Sequence, residues 1–174
     1  NRDSQQEEKT PELTQIGEVQ VDSRIAENTR QFLAAAQAIA PEETLISGYR
    51  SRAEQEELYN EKVAGEVAKG LSNEEAVSIV LKQVQLPEAS EHQTGLAIDM
   101  SAPEGQEDEL AAKIAELAPQ YGFVLRYPDG KSDITGVDFE NWHYRYVGVE
   151  NAQYMQKHNL VLEEYIALVK EAGK

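Results

Sequence analysis

No cysteine occurs in the 174 residues, which excludes a disulfide scaffold, a thiolate zinc site and a cysteine nucleophile. Histidine is scarce at three, and tryptophan occurs once. Basic residues are outnumbered, with 16 Lys+Arg against 32 Asp+Glu and a formal net charge of −16. Phosphate backbones and anionic membranes both require clustered Lys/Arg, so no nucleic-acid partner is expected and the acidic excess serves solubility. No stretch approaches the 18 or so apolar residues of a membrane span. What is present is a 40% hydrophobic fraction, enough for one domain to build a core without a staple.

The chain opens on the polar run Asn1-Arg2-Asp3-Ser4-Gln5-Gln6-Glu7-Glu8-Lys9, which has nothing to bury. We read residues 1–20 as a polar N-terminal tether and residues 21–174 as one folded domain. The expected first element is a helix from Asp22 or Ser23 to about Ala40, with Ser23 as its cap and Pro41 as its stop. Thr44-Leu45-Ile46-Ser47 reads as a buried strand.

A helical hairpin is expected over about 52–86. Its first arm presents Leu58, Val63 and Val67 and ends at Gly70, and its second opens on the capping sequence Ser72-Asn73-Glu74-Glu75 and runs to Leu86. Leu96–Met100 and Gly122–Tyr127 read as strands, separated by an amphipathic helix over 107–121. Asn141–Val147 alternates Trp142, Tyr144 and Tyr146 against His143 and Arg145, the period of a strand. A last amphipathic helix closes the chain from about Leu160 to Glu171. Helices gathered around short strands predict an α+β fold, with helices packed on a small, mostly antiparallel sheet.

The histidines point to the chemistry. His158, between two helical patterns, reads as a surface residue. His92 sits in Ser90-Glu91-His92-Gln93-Thr94-Gly95-Leu96-Ala97-Ile98-Asp99, and His143 in Glu140-Asn141-Trp142-His143-Tyr144-Arg145. A mononuclear catalytic zinc takes three protein ligands and keeps one open position, with a carboxylate nearby to accept a proton from water. His92, Asp99 and His143 can supply the ligands and Glu140 the base, with Gly95 permitting the bend between His92 and Asp99. On spacing alone the same residues also suit a buried aspartate and a strand histidine among tyrosines.

Ser90-x-His92-x-x-Gly95-x-Ala97-x-Asp99, followed by Glu140-x-Trp142-His143-x-Arg145-Tyr146-Val147-Gly148, resembles the paired signature of the VanY/LdcB-type zinc carboxypeptidases. Upstream, Ser47-Gly48-Tyr49-Arg50-Ser51 with Gln55 is similar to a third block of that family, and the resemblance covers roughly Thr44 to Gly148. It implies a Hedgehog/DD-peptidase-like fold and one zinc ion per chain, bound by His92, Asp99 and His143 with Glu140 as general base. It further implies that Arg50, Gln55, Ser90 and Tyr127 line the substrate site, with Arg50 or Ser90 near a terminal carboxylate. The implied reaction removes C-terminal D-alanine from peptidoglycan stem peptides outside the cytoplasmic membrane.

Two departures stand out: Asn141, where the family often has proline, and a hairpin longer than a minimal member needs. Likeness to the LdcB branch around Ala89–Gly95 favours L,D-carboxypeptidase activity, tetrapeptide to tripeptide. A D,D-carboxypeptidase acting on pentapeptide is the alternative. An endopeptidase and a non-catalytic wall-binding domain are further readings, and the last is disfavoured because all four site residues are present. Trp142 and Tyr144 are expected to pack rather than meet substrate, and a monomer is the expected state.

Overall fold

A computed structural model describes residues 10–173. The element order is β1 (Leu13–Ile16), β2 (Val19–Asp22), α1 (Ala26–Ile39), β3 (Thr44–Ser47), α2 (Arg52–Ala68), α3 (Asn73–Val80), β4 (Ala97–Ser101), α4 (Asp108–Leu117), β5 (Phe123–Tyr127), α5 (Ser132–Thr135), β6 (Glu140–Tyr146), α6 (Val149–Lys157) and α7 (Leu162–Ala172). Strands β3-β4-β6-β5 form a four-stranded sheet in which every pairing is antiparallel, and β1-β2 form a separate hairpin. The α+β architecture read from the sequence is the one observed.

The sheet has two chemically different faces because side chains alternate along each strand. One face carries Ile98, Met100, Phe123 and Tyr144, all fully buried against Phe32 of α1 and Ile114 of α4. Phe32 anchors this core, edge-on to Tyr144 at 4.9 Å and stacked on Phe123 at 5.2 Å. The opposite face carries Asp99, His143 and Arg145, and the functional site forms there. Beyond it, Val124 packs with Ala152 and Met155 of α6 and with Leu162 and Tyr165 of α7.

Four expectations change. Thr44–Ser47 forms the expected strand, but at the edge of the sheet and not buried, with Ile46 53% exposed. Residues 13–22, expected in part as tether, form a hairpin whose Ile16, Val19 and Val21 are buried. Each strand has four residues, too short for a clear alternating signal, and their burial arises only when they dock on the domain. The tether reading therefore stops short of Leu13, and residues 1–9 lie outside the described region. The first helix begins with a single 3-10 turn over Ser23–Ile25, capped by Asp22 rather than Ser23, since the Asp22 carboxylate accepts from the Arg24 amide at 2.9 Å.

The second arm of the hairpin also ends early. Its helix stops at Val80 and turns carry the chain through residues 81–86. The capping box at Ser72 forms as read, with a second at Ser51 opening α2. α2 buries only Gln55 fully, whose side-chain amide donates to the Gln85 carbonyl at 2.7 Å and ties the helix to the hairpin's return.

Candidate active site

His92 lies in a 3-10 turn over Glu91–Thr94 that ends at Gly95 in the left-handed conformation, φ 71°. A side chain there would meet the Asp22 backbone amide at 2.8 Å, and the Gly95 carbonyl accepts from that same amide at 2.9 Å. The hairpin read as tether is thus the wall behind the His92 loop. His92 Nδ1 lies 2.8 Å from the Gly48 carbonyl, which takes the Nδ1–H and leaves Nε2 facing Asp99 Oδ2 at 3.6 Å. Burial, helped by the nearby charges of His143 and Arg50, lowers the His92 pKa to about 4 despite Asp99, so the ring is neutral and ready to ligate.

Asp99 and His143 face each other directly across β4 and β6, which places both side chains on one side of the sheet. His143 Nδ1 lies 3.9 Å from Asp99 Oδ1, and one donor atom from each of His92, Asp99 and His143 falls within 4.8 Å of the others. Asp99 Oδ1 is buried and has no hydrogen-bond partner among the described residues, an acceptor that a cation would satisfy. Two imidazoles and a carboxylate converging on one point suit zinc in donor type and number.

Glu140 joins them through an irregularity. Along β5 the pairing steps two residues, from Leu125↔Tyr144 to Tyr127↔Glu140, while β6 advances four. This bulge turns Glu140 and His143, which three-residue spacing would otherwise put on opposite faces, toward each other with Oε2 to Nδ1 at 3.2 Å. Glu140 is 7% exposed, and burial, with the charges of Asp99 and Glu91, raises its pKa above the ordinary range against the pull of His143. Burial lowers the pKa of His143, but the hydrogen bond to Glu140 and the nearby carboxylates of Glu91 and Asp99 outweigh it and carry it to about 9. The carboxylates around this ring favour positive charge there, which a divalent cation held by His92, Asp99 and His143 would supply in place of a proton.

A cavity of about 530 Å³ opens onto this cluster. All eight site residues read from the sequence border it: Arg50, Gln55, Ser90 and Tyr127 together with His92, Asp99, Glu140 and His143. Arg50 is held in place by Gln55 Oε1 at 2.7 Å and Ser47 Oγ at 2.9 Å. Tyr127 packs edge-on against His143, with ring centroids 5.0 Å apart. The segment read as a hairpin contributes Leu58, Lys62, Gln83 and Val84 to the cavity wall. His158 is exposed and lies apart from the cavity.

Trp142 departs from its expected packing role. It is 41% exposed and borders the cavity, because the bulge removes it from the face occupied by Tyr144. Asn141, at the position where the family often has proline, ties this strand to the 106–108 segment: its side chain donates to Asp108 at 2.8 Å and its carbonyl accepts from Gln106 at 3.1 Å. The sequence reading also passed over Glu91 and Arg126. Both are buried, and Arg126 Nε donates to Glu91 Oε1 at 2.6 Å. Their positions, beside His92 and on a strand, were visible, but their pairing, 35 residues apart, was not.

A sequence model of the VanY family, described as D-alanyl-D-alanine carboxypeptidase, matches residues 18–149, a span containing every one of these side chains. The chain belongs to the VanY family. Among its relatives, a D-alanyl-D-alanine carboxypeptidase of Enterococcus faecalis (strain ATCC 700802 / V583) is 39% identical over 148 residues. That match covers 84% of this chain and 55% of the relative, so the chain spans about half that protein's length. The bifunctional D-Ala-D-Ala dipeptidase and carboxypeptidase VanXYC of Enterococcus gallinarum is 35% identical over 143 residues, covering 76% of this chain and 70% of the relative.

Solved structures of the family superpose closely. A variant of the vancomycin-resistance D,D-pentapeptidase VanY in complex with Zn(II) gives a TM-score of 0.88 at 37% identity, covering 95% of this chain and 96% of the other. VanYB in complex with D-alanine-D-alanine gives 0.89 at 37%, covering 96% and 94%. The LdcB LD-carboxypeptidase gives 0.72 at 28%, covering 96% and 80%.

Proposed function

We propose that this chain is a zinc-dependent D-alanyl carboxypeptidase acting on peptidoglycan stem peptides outside the cytoplasmic membrane. The observation that carries the reading is one cavity holding a His-Asp-His donor set with both histidines buried, a carboxylate beside it with a raised pKa, and a guanidinium braced by two neighbours. The Zn(II) and D-alanine-D-alanine complexes of VanY-family structures support it.

His92 Nε2, an Asp99 oxygen and His143 Nδ1 would hold the zinc. When bound, the metal supplies a Lewis acid that polarises a carbonyl and acidifies a water. Glu140 accepts the water's proton at Oε2 and returns it to the leaving amine, and its raised pKa suits both halves of that exchange. Arg50 receives the substrate's terminal carboxylate through paired N–H donors, with Ser90 beside it. Gln55 and Ser47 fix the guanidinium before substrate arrives, which lowers the ordering cost of binding. Tyr127 walls the pocket against His143.

Of the two specificities, D,D-cleavage after a penultimate D-alanine has the stronger support, from the 37–39% identical relatives and the TM-scores of 0.88 and 0.89. L,D-cleavage, favoured by the Ala89–Gly95 segment, is the second reading, supported by the likeness to LdcB. Incubating the zinc-supplemented protein with a stem pentapeptide and a stem tetrapeptide, and following released D-alanine, decides between them. Faster release from pentapeptide is expected. Faster release from tetrapeptide would reverse the choice, and release from neither by zinc-loaded protein would leave a wall-binding domain. An N-terminal attachment and a monomeric state complete the reading.

A further inference from the structure

Glu91 precedes a metal-ligand residue in sequence but points elsewhere. Its carboxylate is buried behind His143, on the side of the ring away from Asp99. Oε1 accepts from Arg126 Nε at 2.6 Å and lies 3.3 Å from a guanidinium nitrogen of Arg145. Oε2 has no hydrogen-bond partner among the described residues and lies 3.5 Å from His143 Nε2, which likewise has none. The other edge of Arg126 grips Glu163 at the start of α7 with two bonds, at 2.6 and 2.9 Å. Arg126 is 3% exposed and lies over the Tyr127 ring at 4.8 Å, so it is locked on three sides.

A histidine offers either ring nitrogen to a metal, and the hydrogen bond made by the other nitrogen decides which. His143 Nδ1 faces Asp99 and Glu140, while Nε2 faces Glu91. We propose that Glu91 is a positioning residue for the metal site: its Oε2 accepts the Nε2–H of His143, so that Nδ1 is the nitrogen presented to the metal. Arg126 holds Glu91 at that distance, and Glu163 anchors Arg126 to α7, so the C-terminal helix braces a ligand it does not touch. The proposal rests on the metal reading of His92, Asp99 and His143. Arg126 and Arg145 balance the Glu91 charge, and this leaves its second oxygen free for the imidazole.

The test titrates zinc into the purified protein against a chromophoric chelator at fixed pH, for wild type and Glu91→Gln. The amide has the carboxylate's shape, and circular dichroism reports whether the fold is kept. Zinc affinity is expected to fall about 10- to 100-fold in the variant, the usual cost of losing such a partner. In parallel, long-range 1H–15N correlation spectra of the zinc-loaded wild type are expected to show His143 protonated at Nε2 and metal-bound through Nδ1. This readout stands even if the variant does not fold. Unchanged zinc affinity in folded Glu91→Gln, or a His143 bound through Nε2, overturns the proposal while leaving the metal site intact. A wild type that binds no zinc overturns the metal reading and the proposal with it.

Discussion

Glu140 Oε2 lies 3.2 Å from His143 Nδ1 although the two residues are three apart on one strand. In an unbroken strand that spacing points side chains to opposite faces, so the contact exists only because β6 bulges against β5. The bulge brings the carboxylate proposed as base to His143 and sends Trp142 to the cavity rim.

Replacing Glu140 with glutamine keeps the shape of this corner but removes the proton acceptor. Turnover of a peptide ending in D-Ala-D-Ala is expected to fall about 10²- to 10⁴-fold, the usual contribution of a general base. Zinc content, measured by atomic absorption, should be retained. A variant with near wild-type kcat would remove Glu140 from its role.

Arg50→Lys retains a positive charge but loses the two-pronged geometry and the brace from Gln55 and Ser47. We expect kcat/KM to drop by about tenfold or more, on the order of 1.5–3 kcal/mol for a charge-assisted hydrogen bond. Amidation of the substrate's C-terminus should cost wild type heavily and the lysine variant less. Equal losses in the two proteins would mean that Arg50 does not meet that carboxylate.

Gly95→Ala tests the N-terminal hairpin as a wall of the site. The left-handed φ and the 2.8 Å approach of a new Cβ to the Asp22 amide both oppose the change. A destabilisation on the order of 1–3 kcal/mol is expected in urea unfolding. Zinc affinity should fall as well, because His92 sits on the same turn. Unchanged stability and affinity would show that the hairpin and the His92 loop are independent.

Glu43 is 1% exposed, and neither of its carboxylate oxygens has a hydrogen-bond partner among the described residues. Burial raises its pKa from 4.5 to about 7. The folded state therefore keeps a proton that the unfolded chain releases. The stability this provides is complete below about pH 4.5 and is lost as the pH rises through 7. Glu43→Gln, a neutral mimic of the protonated acid, should match wild type near pH 4 and exceed it at pH 8. The gain at pH 8 should be on the order of 3 kcal/mol, from the size of that shift. Urea titrations at the two pH values measure it, and an equal effect at both would mean the carboxyl is not protonated in the fold.

Elements with strong local signals were legible along the chain. The capping box at Ser72, the helix-stopping Pro41 and the bend at Gly95 act within a few residues, and each appears where it was read, the bend as a left-handed turn. The hairpin at 13–22 was not legible, because its apolar side chains are buried only by docking. The second hairpin arm was overextended because Val84 and Leu86 continue a helical spacing that the backbone abandons after Val80.

The sequence alone determined the residue types and order of the site: two histidines, an aspartate and a glutamate in blocks that chemistry and family resemblance both single out. Tertiary structure decided which atoms meet. Antiparallel pairing put Asp99 opposite His143, the bulge turned Glu140 toward the same point, and the burial of Arg126 between Glu91 and Glu163 gave His143 its backing. These contacts join residues up to dozens of positions apart and depend on strand register, a property of the pairing of strands and not of any one segment.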